Sequence, residues 1–166
     1  MQPSERVLIG VPFFFMTGCA LFQSGGAGSG PGSPEPMTLR VCLAATEPKE
    51  GYQRINDEAG QPFYVDPAPL LTERDVERAS IWKSRQRTMV LVEFSALSAY
   101  ELQRATAVHT GGRLAVFLDD HLVMSPRVYR PIARGKVYLD ADFSPARAEE
   151  IVRGLSAKPE RGGSKP

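Results

Sequence analysis

The sequence predicts a single small α+β domain, built as a mainly antiparallel sheet with helices packed on one face. Three observations predict it. Short segments alternate apolar and polar residues with period two, most clearly Met89 to Phe94, where Val90, Val92 and Phe94 fall on one face. Two later segments carry helix caps and helical spacing of apolar residues. The order of these signals is strand, short helix, two strands, helix, two or three strands, helix, with no internal repeat.

In chain order, Thr38 to Thr46 reads as a strand, with Leu39, Val41 and Leu43 alternating against Arg40, Cys42 and Ala44. Glu47 to Asp66 is polar and broken by glycine and proline, so a loop is expected there, with a short strand at Phe63 to Val65. Leu71 to Ala79 offers Thr72 as a cap with Asp75 three residues on, which predicts a helix of one or two turns. Ile81 to Ser84 and Met89 to Phe94 are strands joined through a polar turn at Arg85-Gln-Arg.

The next helix has Ser98-Ala-Tyr-Glu101 as a capping box, with a start one turn earlier as the alternative. Ala99, Leu102, Ala105 and Thr106 form its apolar stripe, and Gly111-Gly112 end it. Leu114 to Leu118 is a buried strand, and Asp119-Asp120 turns the chain into Leu122 to Met124. Val137, Leu139, Ala141 and Phe143 alternate with Tyr138, Asp140 and Asp142 as a half-buried strand. In the last helix Ser144 is the cap, Pro145 takes the first position, and Ala148, Ile151, Val152 and Leu155 make the core stripe.

Ahead of this domain, Val7 to Met16 is a short apolar run containing Pro12, far below the roughly 20 residues that span a bilayer. It follows Arg6 and leads to Met16-Thr17-Gly18-Cys19, which resembles a bacterial lipobox. Residues 1–18 are therefore expected to be a lipoprotein signal peptide cut between Gly18 and Cys19, with Cys19 acylated and held in the lipid bilayer. Residues 19–37, rich in glycine, serine and proline, read as a tether, residues 38–157 as the domain and 158–166 as a disordered tail. Ala20, where inner-membrane retention would favour aspartate, points to the outer membrane if the cell has two.

The chain has 166 residues, 42% of them hydrophobic, and a formal net charge of +1. Basic and acidic residues are interleaved, which leaves no excess of cations for a nucleic-acid groove. Its two cysteines are Cys19 and Cys42. With Cys19 acylated, Cys42 has no partner within the chain and is expected to be a small sheet-face residue.

Catalytic patterns are weak. Asp119-Asp120-His121, with His109, is the densest cluster of metal-ligating types, but the two aspartates stand where a hairpin must turn. There is no Gly-x-Ser-x-Gly elbow, and the glycine-rich run from Gly25 lies in the tether, with no strand before it or helix after it. No metal, no cofactor and no enzymatic activity are expected.

Thr106 through Ile132, with Gly111, Arg113-Leu-Ala-Val-Phe-Leu-Asp119, Ser125-Pro126 and Pro131-Ile132, resembles the head subdomain of the first periplasmic domain of SecD, the protein-export membrane factor. In that family a Thr-x4-Gly-x-Arg-Leu-Ala stretch leads into a Leu-Asp-Gly turn, followed by Ala-Pro and Pro-Ile steps. Gly135, Leu139, Phe143-Ser144 and Ala148 also fall in the family's register. The resemblance covers Leu39 to Leu155 and departs at Ser98, Asp120, Val137 and Ala141, each standing where the family has glycine.

The resemblance implies a head that contacts polypeptide emerging from the translocon. The family's transmembrane segments, which couple its motion to proton flow, have no counterpart expected after Cys19. The expected function is thus a lipid-anchored, non-catalytic module of the cell envelope that binds exported polypeptides or another envelope protein. A structural subunit of an envelope complex is the alternative, and a hydrolase comes third. Trp82, Tyr129 and Tyr138 could line an apolar surface. Pro126, Val128, Tyr129 and Pro131 are the candidate contact residues, because two prolines limit strand pairing there and leave an edge or loop for a partner.

Overall fold

A computed structural model describes residues 35–57, 59–84 and 87–157. The proposed signal peptide, Gly18, Cys19, most of the tether and the tail from residue 158 lie outside the described residues.

Two antiparallel sheets and two helices enclose the main core. The larger sheet contains β1 (Leu39–Ala45), β2 (Gln53–Asn56), β3 (Pro62–Val65), β4 (Leu71–Thr72), β7 (Arg113–Leu118) and β8 (His121–Met124). Its order is β2-β3-β1-β7-β8, with β4 also pairing β1. The smaller sheet has β6 (Thr88–Phe94) between β5 (Val76–Lys83) and β9 (Lys136–Leu139). Helix α1 spans Ala96–Val108 and α2 spans Pro145–Ser156. The expected single sheet is therefore two, while the α+β class and the antiparallel pairing hold.

Alternation decides which side of β1 faces which core. Leu39 and Val41 join Leu114, Val116 and Leu118 in the main core, with Val90, Val92, Leu139, Leu102 and Ile151 from the second sheet and the helices. On the opposite side, Cys42, Ala44 and Ala115 are small, and Phe63 of β3 packs with them in a second cluster. Cys42 is a buried free thiol, as its place in the alternation suggests.

Several elements differ from expectation. The predicted helix at Leu71 to Ala79 is only a 3-10 turn at Glu73–Asp75, after which Val76 enters an eight-residue strand. The Thr72–Asp75 capping box does form, with Asp75 Oδ2 accepting the Thr72 N–H at 2.8 Å. Pairing of Ala79 with Val92 and Ile81 with Val90 takes the following residues, because the core face of β6 needs a neighbour there.

Within the predicted loop from Glu47 to Asp66, Gln53–Asn56 pairs with Pro62–Val65 as a hairpin. Asp57 Oδ1 accepts from the amides of Ala59 and Gln61 and so shapes the turn. The strand expected through Phe143 ends at Leu139, and Asp142 turns with φ 47°. Met37, assigned above to the tether, is 6% exposed and donates its N–H to Gly154 O at 3.3 Å, so packing begins before residue 38.

Helix α1 starts one turn earlier than the Ser98 box. Ser95 is its cap, and its Oγ accepts the Ser98 N–H at 3.3 Å. Ser98 is instead buried inside the first turn, where its hydroxyl donates to Asp75 Oδ1 at 2.8 Å. At α2 the expected cap is found: Ser144 Oγ accepts the Arg147 N–H, and Pro145 opens the helix.

Candidate contact loop

Asp119 and Asp120 both have positive φ, 46° and 64°, which is the two-residue turn joining β7 to β8. Their carboxylates are already occupied. Asp119 Oδ1 accepts the Thr38 N–H at 2.9 Å, and Asp120 pairs with Arg40 at 2.8 Å. His109 lies towards the other end of β1, its Nε2 2.8 Å from Ala44 O. Ala44 lies six residue steps beyond Thr38 along the extended chain, about 20 Å. The four residues weighed for a metal therefore do not converge, and no group of three ligating side chains occurs among the described residues.

The proline-flanked segment behaves differently from expectation at one of its four candidate residues. Val128 is 3% exposed and belongs to the main core. Its N–H donates to Gly112 O at 2.9 Å and its carbonyl accepts from Gly111 N at 2.8 Å. Pro126 is half-buried and its carbonyl accepts the Leu114 N–H at 3.0 Å. Val128 is thus an anchor and not a contact surface, corrected by backbone pairing that continues the β7–β8 ladder beyond the proline. Tyr129 is 81% exposed, and Arg130 and Pro131 are exposed beside it.

Two side chains and one backbone amide hold this segment in place. Thr106, fully buried in α1, donates its hydroxyl proton to Leu102 O at 2.7 Å while its Oγ1 accepts the Ile132 N–H at 2.9 Å. Gly111 reaches φ 90°, a conformation open mainly to glycine, and this aims its N–H at Val128. Arg113 forks onto Ser125, with Nη2 2.8 Å from the carbonyl and 2.7 Å from Oγ, and its guanidinium stands over the Phe63 ring at 5.4 Å. The Thr-x4-Gly-x-Arg pattern is therefore a clamp on Ser125 to Ile132, and Tyr129 stands at the crest of the clamped loop.

Gly135 shows how tightly the far end of the loop meets α1. It has φ 58°, and a Cβ there would fall on Ala99 Cβ and 3.0 Å from Ala99 Cα. The sequence reading missed this contact and the role of Thr106, which it placed in the apolar stripe. The spacing of Thr106 to Gly111 and Arg113 was the available signal.

The fold and this loop define the class: an α+β head subdomain made of two antiparallel sheets. The family model of the SecDF P1 head subdomain matches residues 49–158, and the chain belongs to that family. Two solved structures share the fold. One is described as the structure and function of a membrane component SecDF that enhances protein export, with 20% identity, a TM-score of 0.58, and coverage of 74% of this chain and 63% of that one. The other, SecDF in a super-membrane-facing form, has 20% identity and a TM-score of 0.59, and the match covers 74% of this chain and 19% of that one. The chain thus spans just under two thirds of the first relative and about a fifth of the second. No curated protein matches it.

Proposed function

We propose that this chain is a lipid-anchored envelope protein, held at Cys19, whose head is a non-catalytic contact module for polypeptides in protein export. The observation that carries the reading is the clamp. Thr106, Gly111 and Arg113 all act on one segment, and a loop fixed at both ends presents Tyr129 at little entropic cost on binding. A solved relative is described as enhancing protein export, which fits a head that meets exported chains.

In this reading Tyr129 supplies an amphipathic ring and Pro131 stiffens the loop. No helix among the described residues is long and apolar enough to cross a membrane, so the described domain carries no coupling to an ion gradient of its own through such a helix. The test is photocrosslinking in intact cells, with a photoreactive residue at position 129 of the full-length chain, and mass spectrometry of the captured species. Many unrelated exported chains are expected. One recurrent envelope protein in fixed ratio would replace this reading with that of a structural subunit, and no capture would reject the loop as the contact.

A further inference from the structure

The two edge strands of the smaller sheet are not alike. Helix α2 packs on β5 and β6 from the core side, and on the opposite, uncovered face Trp82 and Tyr138, 41% and 44% exposed, meet edge to face at 5.7 Å. The β5 edge is bent by the bulge between Val76 and Arg78 and carries Glu77, Arg78 and Lys83, features that keep an edge strand from pairing. The β9 edge, followed from Lys136 to Asp140, has neither a bulge nor a proline.

The alternation of backbone hydrogen bonds shows which groups of β9 are free. Ser84 donates its N–H to Arg87 O at 2.9 Å, which makes theirs a bonded pair, and alternation from there along the hairpin turns Val90 and Val92 of β6 towards β9. Their partners Leu139 and Val137 are satisfied by that ladder. Lys136, Tyr138 and Asp140 therefore direct their N–H and C=O groups to the open edge, where no backbone partner meets them among the described residues.

From this edge we propose that β9 pairs with the β9 of a second copy of the chain, antiparallel about a two-fold axis at Tyr138. That register sets Tyr138 opposite Tyr138, and Lys136 opposite Asp140 of the second copy, as the bonded pairs. Charge complementarity selects this occupant. Within one chain Lys136 is ion-paired to Glu93 and Asp140 to Arg87. Across the axis these pairs join into a row of alternating sign, Glu93 and Lys136 of one copy followed by Asp140 and Arg87 of the other, and symmetry repeats it. Arg134 and Asp142, where the chain turns with φ 68° and 47°, bring opposite charges to the same ends of the ladder. An arbitrary polypeptide could use the free backbone groups but lacks an acid and a base spaced to meet Lys136 and Asp140, whereas a second copy has both by its own sequence. The contact closes at two copies and joins two three-stranded sheets into one. It is separate from the Tyr129 loop and needs no acyl chain at Cys19.

The test is light scattering over a concentration series of the full chain with Cys19→Ser, where the mass should rise from 18.2 kDa towards twice that value. Lys136→Asp and Asp140→Lys, made separately, should each weaken the dimer by about tenfold, because two cross-strand attractions become two repulsions. Mixing the two variants should restore it, since the acids of one then face the lysines of the other. Tyr138→Cys should give a disulfide-linked dimer on oxidation, as the paired Cα atoms stand about 5.5 Å apart. A mass that stays at 18.2 kDa overturns the proposal, as does a dimer that both single variants retain or that mixing fails to restore. If the Tyr138 amide gains protection from hydrogen exchange only when an unfolded polypeptide is added, the edge belongs to a client strand and the proposal is again overturned. None of these outcomes alters the crosslinking result at position 129.

Discussion

The hydroxyl of Thr106 sits between two backbone groups, giving its proton to Leu102 O at 2.7 Å and receiving the Ile132 N–H at 2.9 Å. One buried side chain therefore ties the third turn of α1 to the end of the Tyr129 loop. Replacing it with valine keeps the shape and removes both bonds. Thr106→Val should cost about 1–3 kcal/mol, the usual penalty of an unpaired buried group. Hydrogen exchange at the Ile132 amide should accelerate more than at the Val90 or Val92 amides, which lie in the paired middle strand; equal acceleration throughout would mean that the effect is global and not a released loop.

Two glycines separate backbone strain from steric conflict. Gly111 and Gly135 both have positive φ, but a Cβ at Gly111 meets open space, whereas one at Gly135 meets Ala99. Gly111→Ala should cost about 1–2 kcal/mol from strain alone. Gly135→Ala adds overpacking of about 1–3 kcal/mol, for a total of about 2–5 kcal/mol. Denaturant midpoints of the two variants check the order, and the reverse order would show that the contact between α1 and the loop relaxes freely.

Burial pushes the Cys42 thiol above its ordinary value of 9.0, an effect that nearby Asp66 reinforces and Arg40 opposes. The folded state therefore favours the protonated thiol. Its contribution to stability is full below pH 9.0 and is lost as pH rises through the higher folded value. In a Cys19→Ser background, Cys42 should resist alkylation until denaturant is added, and Cys42→Ala should flatten the alkaline decline in stability. Fast labelling of the native chain would contradict the burial of this residue.

Glu93 lies opposite Lys136 on the outer face of the smaller sheet. Its hydrogen bond to Lys136 holds its carboxyl below the usual 4.5, against a smaller desolvation effect and with help from the charges of Lys136 and Arg78. The stabilising contribution is present above about pH 4.5 and is lost as pH falls through the depressed folded value. Lys136→Met should return the Glu93 titration, followed by NMR, towards 4.5, with little change in midpoint stability because the pair faces water.

Much of the domain was legible locally. The β1 alternation, the β7–β8 turn at two aspartates and the Ser144-Pro145 start of α2 each rest on a few adjacent residues whose steric and hydrogen-bonding preferences agree with the fold. The polar strand Gln53–Asn56 carried no such pattern, because only its pairing with Pro62–Val65 makes it a strand. The candidate site was divided in the same way: Tyr129 was found between its prolines, but nothing adjacent to Val128 reveals that its backbone pairs with Gly111 and Gly112.

The sequence by itself thus determined the α+β class, the caps and turns, and the Thr106, Gly111 and Arg113 pattern of the family. Only the tertiary structure decided that Val76 to Ala79 extends as a strand, that Val128 turns inward, and that Trp82 meets Tyr138 on an uncovered face. The reason is the range of the forces involved. Caps and turns are settled by groups a few residues apart, whereas strand pairing and burial depend on partners far along the chain, and those long-range terms override weak local preferences.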